Sequence, residues 1–200
     1  MTQKTPYHHG DLYSTLLSAA TELISEGGVD ALSMRKLADR VGVSRTAPYH
    51  HFADKHALLS ALAEAGFRRY EAALQAVMQA DLQENTAEQQ LTCFVRCYLE
   101  FARAHPETYN LMFGSSVWQA GAPTEALKTE AHASFRRYVE RVSAWQAAGL
   151  LPAADPLRFA QISWSTLHGL ARLMIDGIYV DAHHLDELLA LAVAMFRQAL

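Results

Sequence analysis

Cysteine is nearly absent from this chain: two of 200 residues, Cys93 and Cys97, one helical turn apart. A pair in that register cannot build the disulfide framework of a small secreted scaffold, so both read as small core residues. No run of about eighteen apolar residues occurs, which excludes a hydrophobic membrane-spanning helix. The N-terminal residues lack the apolar stretch of a secretory signal, and the chain is expected in the cytoplasm. Positive charge is scarce as well, with 17 Lys and Arg against 21 Asp and Glu and a net charge of −4. A uniformly basic surface is thereby excluded. Nor is there a nucleophile, base and orienting group at workable spacing, so no enzyme and no cofactor is expected. The nearest approach to a metal site is His183 and His184 between Asp181 and Asp186. Adjacent histidines on a helix point to different sides, so this cluster reads as surface and no metal is expected.

Half of the residues are apolar, enough for an ordinary globular core. They recur almost everywhere at three- and four-residue intervals, and no convincing strand pattern is found. The expected fold class is therefore all-α. Asp11 is positioned to cap a first helix carrying Leu12, Leu16, Ala20, Leu23 and Ile24, which Gly27 and Gly28 would end.

The stretch 33–55 reads as two short helices joined by a glycine turn. Ser33 can cap the first, whose Leu37, Ala38 and Val41 form an apolar face opposite Arg35, Lys36, Asp39 and Arg40. Gly42 can adopt the left-handed conformation that closes a helix, and Ser44 supplies the next cap. The second helix is expected over 45–52, with Arg45, Thr46, Tyr49 and His50 outward and Phe52 inward. This is the sequence form of a helix-turn-helix, whose second helix enters the DNA major groove. Arg45 can pair bidentately with guanine, Thr46 and Ala47 can meet a thymine methyl, and Tyr49 can reach a phosphate or base edge. Pro48 lacks the amide that would bond back into that helix, so either the helix begins later or its first turn is irregular.

Charge supports a modest nucleic-acid footprint. Residues 1–55 balance six Lys and Arg against six acids, with His8, His9, His50, His51 and nearby His56 able to add positive charge. One copy should bind weakly, which favours a dimer whose two half-sites act together.

Asp54 can cap a long helix over 55–79, and the polar stretch 81–90 marks a break. Further helices are expected over 91–104, 106–113, 125–148, 156–178 and 182–199, with a loop over 115–124. The last two are apolar around much of their circumference, so one side is expected to face the core and the other a second copy of the chain. Phe101, His105, Tyr109, Met112, Phe113, Trp118, Tyr138, Trp145, Trp164 and His168 supply rings and polar handles suited to an apolar or aromatic small molecule. The narrower candidate ligand set is Phe101, His105, Met112, Trp118, Tyr138, Trp164 and His168. Trp164 and His168 lie one turn apart on one face.

The order of these pieces resembles the TetR family of bacterial transcriptional regulators, along the whole chain. Gly42-Val43-Ser44, Tyr49-His50-His51-Phe52 and Asp54-Lys55 carry the strongest similarity. The opening Tyr7 to Leu12 and the Ala47-Pro48-Tyr49 variant resemble one branch, named for a C-terminal Trp, His and Gly that would here be Trp164, His168 and Gly169. His105-Pro106 and Leu111-Met112-Phe113 look like another piece of that branch, while His56 replaces the usual acidic residue after the lysine. The resemblance implies a helix-turn-helix domain over 1–56, joined by a long fourth helix to a bundle over 57–200 that binds ligand and dimerises. It implies DNA contacts at Ser33, Arg35, Arg45, Thr46, Tyr49, His50 and Lys55, with Ser44 at the start of the reading element. His51 is expected to pack or cap rather than touch DNA. The expected partners are a double-stranded operator, a second copy through the last two helices, and an apolar or aromatic effector. An alternative is a helical sensor or adaptor that works through protein contacts alone.

Overall fold

A computed structural model describes residues 9–80, 86–119, 121–178 and 184–198, and every regular element among them is helical. The order is α1 (His9–Ala31), α2 (Met34–Val41), a 3-10 turn (Ala47–His50), α3 (Lys55–Ala80), α4 (Ala87–Ala104), α5 (Pro106–Phe113), α6 (Ser115–Trp118), α7 (Glu125–Ala147), α8 (Pro156–Ile175) and α9 (Leu185–Gln198). Two compact units share them. One holds the described residues up to Gly66 together with Glu107–Lys128, and the other holds Phe67–Pro106 and the described residues from Thr129 onward. The long helix α3 is thus divided between the units just after Gly66.

In the first unit the core is built from apolar positions at helical spacing. Leu16, Ala20, Leu23 and Ile24 of α1, Leu37 and Ala38 of α2, and Leu58, Leu59 and Leu62 of α3 are all buried. Helix α1 is already formed at His9, so Asp11 lies inside it rather than capping it. Gly27 and Gly28 leave helical geometry, Gly28 with φ +73°, but a final turn then runs to Ala31. The glycines therefore kink this helix where the sequence pattern suggested an end. Tyr109, Leu111, Met112 and Val117, on α5 and α6, add to the buried set of this unit. Gly66 has no side chain because Thr108 Cγ2 would lie 2.8 Å and Met112 Cγ 2.9 Å from a Cβ there. The segment read as a loop over 115–124 contains α6, a single turn too short for periodicity to reveal.

In the second unit α4 packs against α8 and α9. Its buried stripe, Leu91, Phe94, Val95, Tyr98, Leu99 and Ala102, repeats every three or four residues, and each fully buried large apolar side chain of this kind is worth about 1.5–3 kcal/mol. Thr86 and Gln89 form a reciprocal capping box, so α4 begins earlier than its apolar pattern suggested. Asp155 caps α8 through the Arg158 amide at 2.8 Å, and Pro156 occupies its first turn. That helix ends at Ile175, short of the expected 178, with Gly177 left-handed beyond it. Tyr7, His8, Asp181, Ala182, His183 and Ala199 lie outside the described residues.

Candidate nucleic-acid interface

Local rules set the entry to the candidate reading surface. Ser33 Oγ accepts from the Lys36 amide at 3.2 Å, which fixes the start of α2. Gly42, with φ +75°, closes α2, and the Gly42 and Val43 amides both reach the Ala38 carbonyl at 2.9 and 3.0 Å. Arg40 faces back to α1 and grips Glu26 through two bonds of 2.9 and 2.6 Å, with Glu22 at 3.6 Å. That paired geometry braces α2 against α1 and holds the Glu26 carboxyl below its ordinary range. Arg35, at 3.9 Å from Asp39, and Lys36 stay on the exposed side of α2.

The second helix differs from the expected 45–52. Residues 45 and 46 form a turn, and a 3-10 helix occupies only Ala47–His50. The Tyr49 amide bonds to the Thr46 carbonyl at 3.1 Å and the His51 amide to the Pro48 carbonyl at 3.1 Å, the three-residue pattern of a 3-10 turn. Pro48 is the cause: it has no amide to give, and an α-helix would drive its ring against the carbonyl four residues back. Ser44 does not cap by its side chain; its carbonyl accepts from Ala47 at 3.0 Å and its hydroxyl meets that of Thr46 at 3.1 Å. At three residues per turn, Thr46 and Tyr49 eclipse on one edge and Ala47 and His50 on the next. Ser44, Arg45, Thr46, Tyr49 and His50 are not buried, Tyr49 being 55% exposed, while Pro48 is buried beneath them.

Phe52 is buried and lies 5.2 Å from the Tyr13 ring, and the half-buried His51 meets the edge of the same ring at 6.0 Å. Asp54 caps α3 through the Ala57 amide at 2.8 Å. Lys55 Nζ donates to the Val29 carbonyl at 2.7 Å, tying the last turn of α1 to α3 and leaving donor capacity for an anion. His56, where the resemblance led to an acid, donates from Nε2 to the Val117 carbonyl at 3.1 Å. A carboxylate could not make that bond, since both partners would be acceptors.

The candidate ligand residues fall in both units. Met112 and Trp118 belong to the first, where Trp118 Nε1 donates to the Met112 carbonyl at 2.7 Å. Phe101, His105, Tyr138, Trp164 and His168 belong to the second. Within it Phe101 meets His105 at 5.1 Å and Tyr70 at 5.4 Å. Tyr70 meets Tyr98 at 5.7 Å, and Tyr98 Oη accepts from Trp164 Nε1 at 3.0 Å. Trp164 in turn lies 5.5 Å from His168. Burial, with the nearby Arg172 and Arg69 charges, holds the His168 and His105 pKa values below the ordinary one. Tyr138 is engaged elsewhere, stacked on Phe94 at 4.6 Å and bonded to Ser163 at 2.7 Å, and burial pushes its phenol up to about 12. Cys97 is buried and its thiol pushed up to about 11, as suits a core residue.

Tyr70, Tyr98, Glu71 and Arg141 join this unit's polar and aromatic interior without having been singled out in the sequence. Arg141 sits three residues beyond Tyr138 and four before Trp145, on the buried side of α7, which is the signal that could have found it.

Two family models match: bacterial regulatory proteins of the tetR family over residues 16–62, and a tetracyclin repressor-like C-terminal domain over residues 91–196. The tetracycline repressor protein class A from transposon 1721 of Escherichia coli is 56% identical over 52 residues, 26% of this chain and 24% of that protein. The HTH-type transcriptional activator FasR of Mycolicibacterium smegmatis is 32% identical over 98 residues, 49% of this chain and 43% of that protein. The chain thus spans about a quarter of the length of the tetracycline repressors it matches. A solved structure of a Rhodococcus sp. RHA1 protein of unknown function is 38% identical, with TM-score 0.84, covering 98% of this chain and 99% of that one. The fatty acid degradation regulator FadR of Bacillus halodurans shares the fold at 18% identity, with TM-score 0.70 and coverage of 100% and 98%.

Proposed function

Because the chain belongs to the TetR family of bacterial regulatory proteins, we propose that it binds double-stranded operator DNA sequence-specifically. We further propose a homodimeric repressor that a small molecule releases. The observation that carries the reading is the exposure of Arg45, Thr46, Tyr49 and His50 around buried Pro48, beside an α2 that Arg40 braces against α1. Arg45 serves the base edges and Tyr49 a base or phosphate, with Ser33, Arg35, Ser44 and Lys55 on the flanking backbone. Lys55 stands at the N-terminus of α3, where unpaired amides also favour a phosphate.

The dimer rests on exposed apolar side chains of the last two helices. Ile162 is 72% exposed, Leu191 60% and Met195 54%, apolar side chains that a second copy of the chain would cover. A palindromic operator would require the two reading edges of such a dimer to lie about 34 Å apart, or a near multiple, to match successive major-groove faces. An effector within the bundle acts to the extent that it prefers a state in which that spacing fails.

Mobility shift with the DNA upstream of the chain's own gene tests the reading. The wild type is expected to bind at low salt, and Arg45→Ala with Tyr49→Ala to lose binding while keeping the dimer. Absence of wild-type binding at low salt sinks DNA recognition. Indifference to both substitutions would instead favour an adaptor that works through protein contacts.

A further inference from the structure

In the first unit, the backbone does little to orient the reading turn. The amides of Ala47, Tyr49, His51 and Phe52 bond to the carbonyls of Ser44, Thr46, Pro48 and again Pro48, all within the same segment, at 3.0, 3.1, 3.1 and 2.9 Å. These bonds shape the turn without tying it to α1 or α2, and a 3-10 helix of four residues is too short to hold a direction of its own. Its attitude is therefore set by the side chains it packs inward. Pro48 is buried at the centre of the turn, and Phe52, 3% exposed, follows just beyond it.

Tyr13 of α1 meets that end of the segment twice. Its ring lies 5.2 Å from Phe52 at an interplanar angle of 31°, and 6.0 Å from His51 at 63°. Aromatic pairs favour definite tilted and edge-to-face geometries, so such contacts fix an angle as well as a distance. Tyr13 extends the stripe of α1 that continues through Leu16 and Ala20, yet it is 40% exposed whereas both of those are fully buried. A ring that keeps so much of its surface in water adds little to the core. Its contacts fall instead on the two residues that directly follow Tyr49 and His50, the exposed pair at the end of the reading turn.

We infer that Tyr13 is a positioning residue for DNA recognition: by seating His51 and Phe52 it fixes the angle at which Tyr49 and His50 meet the base edges, without touching a base itself. This rests on the operator-binding reading given above and adds to it a residue of α1, outside the helix-turn-helix. Hydrogen bonds to base edges weaken steeply with misalignment, whereas the attraction of phosphates is independent of sequence and tolerant of angle. Loosening the seat therefore lowers specific binding and spares the non-specific part.

The test uses the full chain and two duplexes of equal length, the DNA upstream of its own gene and a scrambled sequence, titrated by fluorescence anisotropy at one salt concentration, with a urea midpoint for each variant. Tyr13→Ala is expected to weaken binding of the upstream duplex by about fivefold or more, the cost of one mismatched base pair, and of the scrambled duplex by less than about twofold. Tyr13→Phe keeps the ring and should keep the wild-type ratio. His51→Ala removes the edge contact alone and should lower the ratio in the same direction, which decides the matter where Tyr13→Ala folds poorly. An unchanged ratio in the alanine variants overturns the positioning role. So does an equal loss on both duplexes that accompanies a fallen urea midpoint, the mark of simple packing, or a loss in Tyr13→Phe as large as that in Tyr13→Ala. If the wild type does not distinguish the two duplexes, the operator reading falls and the positioning role with it.

Discussion

The Tyr138 and Ser163 hydroxyls form a buried pair whose proton order can be worked out and tested. Ser163 Oγ lies 2.7 Å from the Phe159 carbonyl, which can only accept, so the serine proton is directed there. Tyr138 must then donate to Ser163 across their 2.7 Å contact. Tyr138→Phe removes the donor, keeps the stack on Phe94, and leaves Ser163 its own acceptor. It should cost about 0.5–1.5 kcal/mol, the net value of one neutral hydrogen bond. Ser163→Ala strands the tyrosine hydroxyl at 6% exposure, a penalty of about 1–3 kcal/mol, less about 0.5 kcal/mol because alanine suits a helix better. On the Tyr138→Phe background nothing remains to strand, and Ser163→Ala should be neutral or slightly stabilising. Urea unfolding of the four proteins at pH 7, followed by circular dichroism with constant m, measures the cycle. A coupling of about 1 kcal/mol or more is expected. An equal cost of Ser163→Ala on both backgrounds would refute the proton order.

Three other outcomes follow from the same structure. Ile162→Arg combined with Leu191→Arg should convert the dimer to monomer in sedimentation velocity and weaken operator binding, whereas an unchanged sedimentation coefficient would remove that face from the interface. His105 and His168 have lowered folded-state pKa values, so the unfolded chain binds more protons once the pH drops toward the ordinary histidine value. The urea midpoint should accordingly fall between about pH 7.5 and about 5.5, the range bracketing an unperturbed histidine, and His168→Gln should flatten that fall. Ser60 is fully buried on α3 and its hydroxyl has no partner, so Ser60→Ala should raise stability by roughly 1 kcal/mol, read from the urea midpoint.

What could be read in the sequence was local chemistry. The cap at Ser33, the left-handed close at Gly42 and the Asp54 cap each depend on residues within four positions, and the pattern names them directly. Pro48 announced irregularity, but its outcome depended on the turn from Ser44 and on burial of the proline ring, which tertiary packing decides. The capping box of Thr86 and Gln89 lay in a stretch whose polarity masked it as linker. The Arg141 and Glu71 pairing, seventy positions apart, has no local signature beyond a charge on a buried stripe. The candidate ligand residues were chosen by type, and type alone could not say that Tyr138 is already committed to Ser163 or that Met112 and Trp118 belong to the other unit.

The chain changes units after Gly66, after Pro106 and after Lys128. During synthesis the reading unit can begin to gather as soon as its first helices emerge, but Tyr109, Met112 and Val117 are still to come. At about 5–20 residues per second, the stretch between Gly66 and Lys128 takes several seconds to appear. Over that interval the surface that α5 and α6 will cover is open. A ribosome paused between those points would hold a DNA-reading element whose support is incomplete. The residues up to Gly66 are likewise no cassette that could be exchanged between proteins, since Thr108 and Met112, which fill the space at Gly66, are encoded well downstream of it.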